Sequence, residues 1–414
     1  MSNVSIDSAT GNLVIAGKPV FPIGLSDPPP LGSTAPGGLD AWAEIVGAGV
    51  SFGRSYPSWP AFSNTSALDE EILSQGAILD AAARHGLQVW LGLGAVANDL
   101  TQEPLLERIV NAFKDHPGLG AWKGSDEPAH GQIAAAGCVA AYQRLRALDP
   151  NHPVAIIEAP RGPAPAPGGT NDTRLTVAAV KPYAAACDIH GVDIYPIPAG
   201  AHAGEAPVNT DISVVGDMTT IIAQATQRKG IWTTLQIAWS GVEPSKGHKL
   251  VFPMLAQARF MAYDAIITGA RGLFFFGGHI TDTLSGADKA AGWNWTYWKN
   301  VQRPVVVELT DVDHKAVLVA PIAPFTVKAN APDIALSTRE ADGFVYLIAV
   351  RRNATATGAA QVQFTGLPKS ITEGTVLGHQ GASNPARPFS VETGAFTDLA
   401  AFAPHNSRVY KFPL

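Results

Sequence analysis

Eight apolar runs, each ending in polar or glycine residues and each followed by a segment of helical spacing, constrain this chain more than any other feature. The runs end near positions 24, 54, 93, 126, 159, 193, 237 and 277, so successive exits lie 30 to 44 residues apart. Runs of this kind suit strands with both faces covered. A closed (β/α)8 barrel of about 250 residues takes about 31 residues per unit, and insertions lengthen some units. A doubly wound sheet would carry a glycine-rich phosphate turn after an early strand. Gly92-Leu-Gly94 lacks the third glycine of such a turn. The pattern predicts an α/β fold, a (β/α)8 TIM barrel, preceded by a short β-hairpin within residues 4–23.

A helix over 298–309 closes the barrel pattern, and the character of the chain then changes. Short alternating runs at 317–319, 334–337, 344–350, 361–364, 375–377 and 408–412 are separated by turn residues. They predict an antiparallel β-sandwich domain. The expected division is a catalytic barrel over 1–311 and a C-terminal β-sandwich over 312–414. No flexible linker separates the two, so the sandwich is expected to pack on the barrel.

Composition narrows the partners. Charged residues make up 15% of the chain, and its net charge is −6 with no basic run. That argues against nucleic acid and anionic membrane surfaces. No apolar stretch reaches the roughly 18 residues that span a bilayer. Cys138 and Cys187 lie in apolar contexts at no metal-ligand spacing and read as buried thiols. No His and carboxylate group has zinc spacing, so neither a metal nor another cofactor is expected. The first residues show no signal-peptide pattern. The location therefore reads as cytoplasmic, or extracellular or periplasmic if a leader was removed. Oligomeric state is left open.

In a barrel, only the C-terminal strand exits build an active site. Here they supply Ser26 and Asp27, then Arg54 and Tyr56 with Trp59 beyond, then Asp126 and Glu127. Next come Glu158 and Arg161, Asp193 and Tyr195, Gln236 and Trp239, and His279. Carboxylates with aromatic rings, and no nucleophile triad, are the chemistry of sugar handling: rings stack on pyranose faces and paired carboxylates cleave the glycosidic bond. Arg54 is expected to pair with Asp126 or Glu127. Glu158 reads either as a substrate contact or as an ion-pair partner of Arg161. Trp90, Trp232 and His190 lie mid-strand and read as core, and the cluster over 293–298 serves equally as core or as substrate platform.

These residues carry a resemblance. His116-Pro, Gly120-Ala-Trp122, Asp126-Glu127-Pro128, Val192-Asp193-Ile-Tyr195-Pro196, Leu235-Gln236 and Gly269-Ala-Arg-Gly272 resemble the barrels of clan A glycoside hydrolases. The C-terminal part is similar to the β-sandwiches that often follow them. The resemblance implies a glycosidase acting on an oligo- or polysaccharide, with Glu127 as general acid. It also marks two departures: Asp126 stands where the clan has Asn, and Gln236 where it has its nucleophilic Glu. An amide forms no glycosyl ester. The second carboxylate is then expected to be Asp193, with Asp126 behind it, or Glu243 from the loop after strand seven. The alternative is a non-catalytic barrel that only binds glycan. A non-sugar ester or amide hydrolase is a third reading, and the missing Ser or Cys motif counts against it. Catalytic candidates are thus Glu127, Asp193 and Asp126. Substrate-binding candidates are Arg54, Tyr56, Trp59, Glu158, Tyr195, Gln236, Trp239 and His279. The short Asp193 side chain favours a carboxylate gap of roughly 6.5–9.5 Å, the spacing of an inverting enzyme.

Overall fold

The computed structural model describes residues 4–162, 175–197, 209–227, 230–238, 251–280, 285–352, 360–378 and 386–414. Trp239 and Glu243 lie outside these residues. Strands β1 (Val4–Ile6), β2 (Leu13–Ile15) and β3 (Lys18–Val20) form a small antiparallel sheet. It is one strand larger than the expected hairpin. Pro22 has no N–H for a ladder, so the run 20–23 does not continue as one strand. The chain restarts as β4 (Ile23–Leu25), the first barrel strand.

The barrel continues with β5 (Phe52–Ser55), β6 (Gln88–Gly92), β7 (Leu119–Asp126), β8 (Val154–Glu158), β9 (Ile189–Asp193), β10 (Ile231–Gln236) and β11 (Gly272–Phe276). All eight strands pair in parallel and in chain order, and β11 closes on β4. The helices between and after them are α1 (Ala41–Gly47), α2 (Thr65–His85), α3 (Glu103–Phe113), α4 (Ala135–Leu148), α5 (Val177–Val180), α6 (Val214–Thr226) and α7 (Leu255–Thr268). Then follow α8 (Gly286–Ala291), α9 (Trp295–Tyr297), α10 (Arg303–Thr310) and α11 (Val312–Val319). Their ends obey local chemistry. Asp40 caps α1 by accepting from Trp42 N and Ala43 N, and α2 stops at Gly86, whose φ of 74° suits glycine.

Large rings fill the barrel. Trp90, Trp232 and Phe274 are fully buried with centroids 4.8–5.6 Å apart, and Phe52 packs beside them. Val4 and Leu13 of the N-terminal sheet join this same cluster with Ala155 and Ile189. The sheet thereby stoppers the barrel at the N-terminal ends of its strands. The tryptophans and tyrosine of 293–298 are buried, which settles that cluster as core.

The C-terminal part is a sandwich of two antiparallel sheets. One holds β12 (Lys328–Ala329), β15 (Ala360–Thr365) and β18 (Ala395–Phe402). The other holds β13 (Ile334–Ala341), β14 (Phe344–Arg351), β16 (Glu373–Val376), β17 (Arg387–Ser390) and β19 (Ser407–Pro413). The uninterrupted apolar run of β14 has a direct cause: both of its faces are buried. Val345, Leu347 and Ala349 enter the sandwich core, while Tyr346, Ile348 and Val350 join the core of the barrel. The run 317–319, expected as a strand, instead ends helix α11. Asp311 caps that helix by accepting from Asp313 N, and His314, Val317 and Leu318 are buried at helical spacing.

Among the described residues, no helix is long and apolar enough to cross a membrane. Both cysteines are free and buried.

Candidate active site

A cavity of about 280 Å³ opens at the C-terminal ends of the strands. Trp90, the top ring of the barrel core, also lines it, with Ile157, Thr234 and Phe276. Its polar lining is Ser26, Arg54, Tyr56, Lys123, Asp126, Glu127, Asp193 and Tyr195.

Strand β7 sets the geometry. Lys123 pairs with Ala155 of β8, but Asp126, three residues on, pairs with Ile157, only two residues on. This β-bulge breaks the alternation of side chains, and both Lys123 and Asp126 line the cavity. Beyond it, Glu127 takes a left-handed conformation with φ of 46°, which costs a non-glycine residue of order 1 kcal/mol or more. Its N–H donates to Ile157 O at 2.8 Å.

Glu127 and Asp193 both line the cavity, close enough to shift each other's titration. Burial, followed by the charge of Asp126, raises Glu127 above the usual carboxylate range. Burial and the charges of Glu127 and Asp126 push Asp193 up further still. Two carboxyls this close resist the second ionisation, and the pair titrates as a unit.

Tyr195 OH donates to Asp193 Oδ2 at 3.1 Å, and its ring stacks on Phe276 at 5.3 Å. Tyr56, 42% exposed, forms another wall and hydrogen-bonds Asp126. Burial and the Asp126 charge push its hydroxyl up to about 12. Strand β6 leaves room for that ring only because residue 92 is glycine: a Cβ there would lie 2.1 Å from Tyr56 Cδ2.

Lys123 is the residue that strand reading misses. It is 1% exposed, pairs with Asp126, and lies 5.0 Å from the Tyr56 ring centroid and 5.6 Å from that of Trp90. Burial lowers its pKa, and Asp126 opposes that fall. Its only sequence signal is a lone lysine in a strand buried on both faces.

The other candidates separate. Arg54 lines the cavity, but its partner is Asp27, at 3.3 Å, and not Asp126 or Glu127. Its Nε donates to Ser26 O at 3.0 Å. His279 reaches the same Asp27 at 3.1 Å from outside the cavity lining. Burial works to raise Asp27, but His279 and Arg54 outweigh it and hold the carboxyl low. Trp59 donates to Gly92 O at 2.8 Å and packs on Phe113, away from the lining. Gln236 is 1% exposed and spends both ends of its amide on one residue: Oε1 accepts from Ile197 N at 2.9 Å and Nε2 donates to Ile197 O at 2.7 Å. Glu158 is fully buried on the far side of the Glu127 turn, paired with His190 at 3.1 Å and not with Arg161. Among the described residues no cluster of His, Cys, Asp and Glu has the arrangement to hold a metal ion.

The chain thus adopts a closed parallel (β/α)8 barrel with a cavity at its C-terminal face and an antiparallel sandwich packed on it. Solved structures agree on that fold. The chain is similar to a glycoside hydrolase family 5 protein from Bacteroides vulgatus ATCC 8482, with TM-score 0.68 and 12% identity, over 99% of this chain and 92% of that one. A second glycoside hydrolase gives TM-score 0.64 at 12% identity over 99% and 96%. A family 30 endoxylanase from Clostridium papyrosolvens C71 gives 0.51 at 13% over the whole of both chains. At these identities the likeness is one of fold. No family model and no curated protein matches the chain.

Proposed function

We propose that this protein hydrolyses an O-glycosidic bond in an oligo- or polysaccharide, with Glu127 as general acid and Asp193 as the second carboxylate. The observation that carries this reading is that Glu127 and Asp193 line one aromatic-walled cavity at the strand exits, each shifting the other's titration. Glycoside cleavage needs one carboxyl that can give a proton to the leaving oxygen and one carboxylate facing the sugar cation. A pair that shares a single proton holds both at once. The sugar enters between the carboxyls: Glu127 protonates the departing oxygen, and Asp193 meets the anomeric carbon.

The closeness with which the two carboxyls influence each other favours retention, with a covalent glycosyl ester on Asp193 that water later hydrolyses while Glu127 takes the water's proton. Tyr56, Tyr195 and Arg54 are the substrate contacts in this reading. Asp126, paired with Lys123, keeps the negative charge that raises Glu127.

Gln236 favours a second reading. It ends β10, where clan A carries its nucleophile, and its amide is committed to Ile197. A barrel that binds glycan without cutting it would look like this. Reducing-end release measured beside isothermal titration on one glycan panel separates the two. New reducing ends support hydrolysis, and NMR of the first-formed anomer reports retention or inversion. Saturable binding with no cleavage favours the binder.

Either reading makes Tyr56 part of the sugar site. Gly92→Ala is expected to push the Tyr56 ring from the cavity wall and weaken glycan binding at nearly unchanged melting temperature. Unaltered affinity in the titration would remove Tyr56 from the site.

A further inference from the structure

Behind the Glu127 turn, on the side away from the cavity lining, lies a buried polar network that no step of the proposed reaction uses. Glu158 and His190 are both 0% exposed. Glu158 Oε2 accepts from Ala129 N at 3.1 Å, and Glu158 Oε1 meets His190 Nε2 at 3.1 Å. The other ring nitrogen of His190 contacts Cys187 Sγ at 3.5 Å. Tyr183 OH reaches Pro128 O at 3.2 Å and donates to Ile133 O at 2.6 Å. On the strand side, Ser125 Oγ donates to Asn98 Oδ1 at 2.7 Å. Three of these bonds meet the chain beside Glu127, at Ser125, Pro128 and Ala129.

Such a network has a physical task. Glu127 sits in a strained left-handed conformation, which persists only where the surroundings over-determine it. The segment 126–129 has just left the ladder at a bulge, so few ladder bonds hold it. A carboxylate accepting the Ala129 N–H two residues beyond Glu127 supplies the missing restraint. A buried carboxylate needs a cationic partner to remain ionised. His190 supplies it: burial acts to lower its pKa, but Cys187 and Glu158 outweigh burial and raise it to about 9.

We propose that Glu158, oriented by His190, is a positioning residue that locks the turn carrying Glu127 and so sets the placement of Glu127 against Asp193. The inference rests on the glycosidase reading for its kinetic consequence but not for its structural one. Glu158 touches no substrate; it acts through Ala129 N.

The test compares the wild type with Glu158→Leu, Glu158→Gln and His190→Gln. Two quantities are read: kcat and KM on the glycan that the panel identifies, and the titration of the Glu127 and Asp193 carboxyls by carbon-13 NMR. Glu158→Leu is expected to lower kcat by about 10²-fold with KM little changed, the cost of displacing a reacting group by about 1 Å. Its two carboxyl titration steps should draw together toward the ordinary carboxylate range as the pair drifts apart. Glu158→Gln keeps an acceptor oxygen for Ala129 N and should recover most of kcat. If the Leu variant does not fold, His190→Gln carries the test, because it leaves the Glu158 carboxylate without the partner that orients it. Its expected signs are lower kcat and the same convergence of the two titration steps. A folded Leu or His190→Gln variant with wild-type kcat and wild-type titration would overturn the proposal. If the wild type cleaves no glycan, the glycosidase reading fails, and the NMR comparison alone still decides the positioning role.

Discussion

Glu127→Gln is expected to lower turnover by about 10²–10⁴ on glycosides with poor leaving groups, the usual worth of a general acid. Glycosides with activated aryl leaving groups should lose far less, since they depart without protonation. An equal loss on both would assign Glu127 another role. The charge state makes a companion test. Activity requires one proton on the Glu127 and Asp193 pair, so kcat/KM should fall when the pair gains a second proton and again when it loses the first. Burial and the charge of Asp126 raise Glu127, and burial with the charges of Glu127 and Asp126 raises Asp193, which places the alkaline limb above the ordinary carboxylate range. Glu127→Gln removes one of the charges that raise Asp193, and the titration of Asp193 should move back down. The same shift has a stability consequence. A carboxyl whose folded pKa is raised contributes stability at low pH and loses it as pH rises through the folded value. The wild type should therefore lose stability as pH rises from the ordinary carboxylate range up through the raised folded titration, and Asp193→Asn should lose less while being inactive. Full activity in Asp193→Asn would place the second carboxylate elsewhere.

The barrel was legible in the sequence because its strands are buried on both faces and its helices repeat at one spacing. Each of the eight exits falls within a few residues of the position that the apolar runs mark. Helix α11 was misread because three consecutive apolar residues fit a strand as well as a helix end; only the Asp311 cap and the spacing of His314, Val317 and Leu318 distinguish them. The site was legible as a set of strand exits but not as a set of directions. Strand alternation says which residues share a face only while the ladder is regular. The bulge in β7 puts Lys123 and Asp126 on the cavity together, which a period of two forbids. Gln236 and Glu158 end their strands as expected, yet their side chains satisfy backbone groups of other segments. Pairings across the barrel, such as Arg54 with Asp27, depend on loop paths that one-dimensional spacing does not contain.

Breaking the Arg259–Glu308 ion pair of the barrel, whose arginine also bonds Ser407 of the sandwich, is expected to cost roughly 3–5 kcal/mol, the penalty for leaving a buried charge without its partner. Arg259 of α7 is 7% exposed and Glu308 of α10 is 3% exposed. Arg259 Nε lies 2.8 and 2.9 Å from the two Glu308 oxygens, and Nη1 donates to Ser407 Oγ of β19 at 3.0 Å. Tyr263 OH donates to Glu308 Oε1 at 2.7 Å. Burial acts to raise Glu308, but Arg259 outweighs it and holds the carboxyl below its usual range. A depressed folded pKa means stability present above the unfolded pKa and lost as pH falls through the folded one. Glu308→Leu should therefore lower the urea midpoint strongly at neutral pH and remove part of the acid sensitivity seen in the wild type. The double variant Arg259→Met with Glu308→Leu should recover much of the loss, because an apolar pair escapes the desolvation cost that the ion pair carries. If Glu308→Leu is as stable as the wild type, the network does not hold the sandwich on the barrel. The apolar seam of Tyr346, Ile348 and Val350, with the pairs Arg352–Asp264 and His405–Asp211, would then hold it.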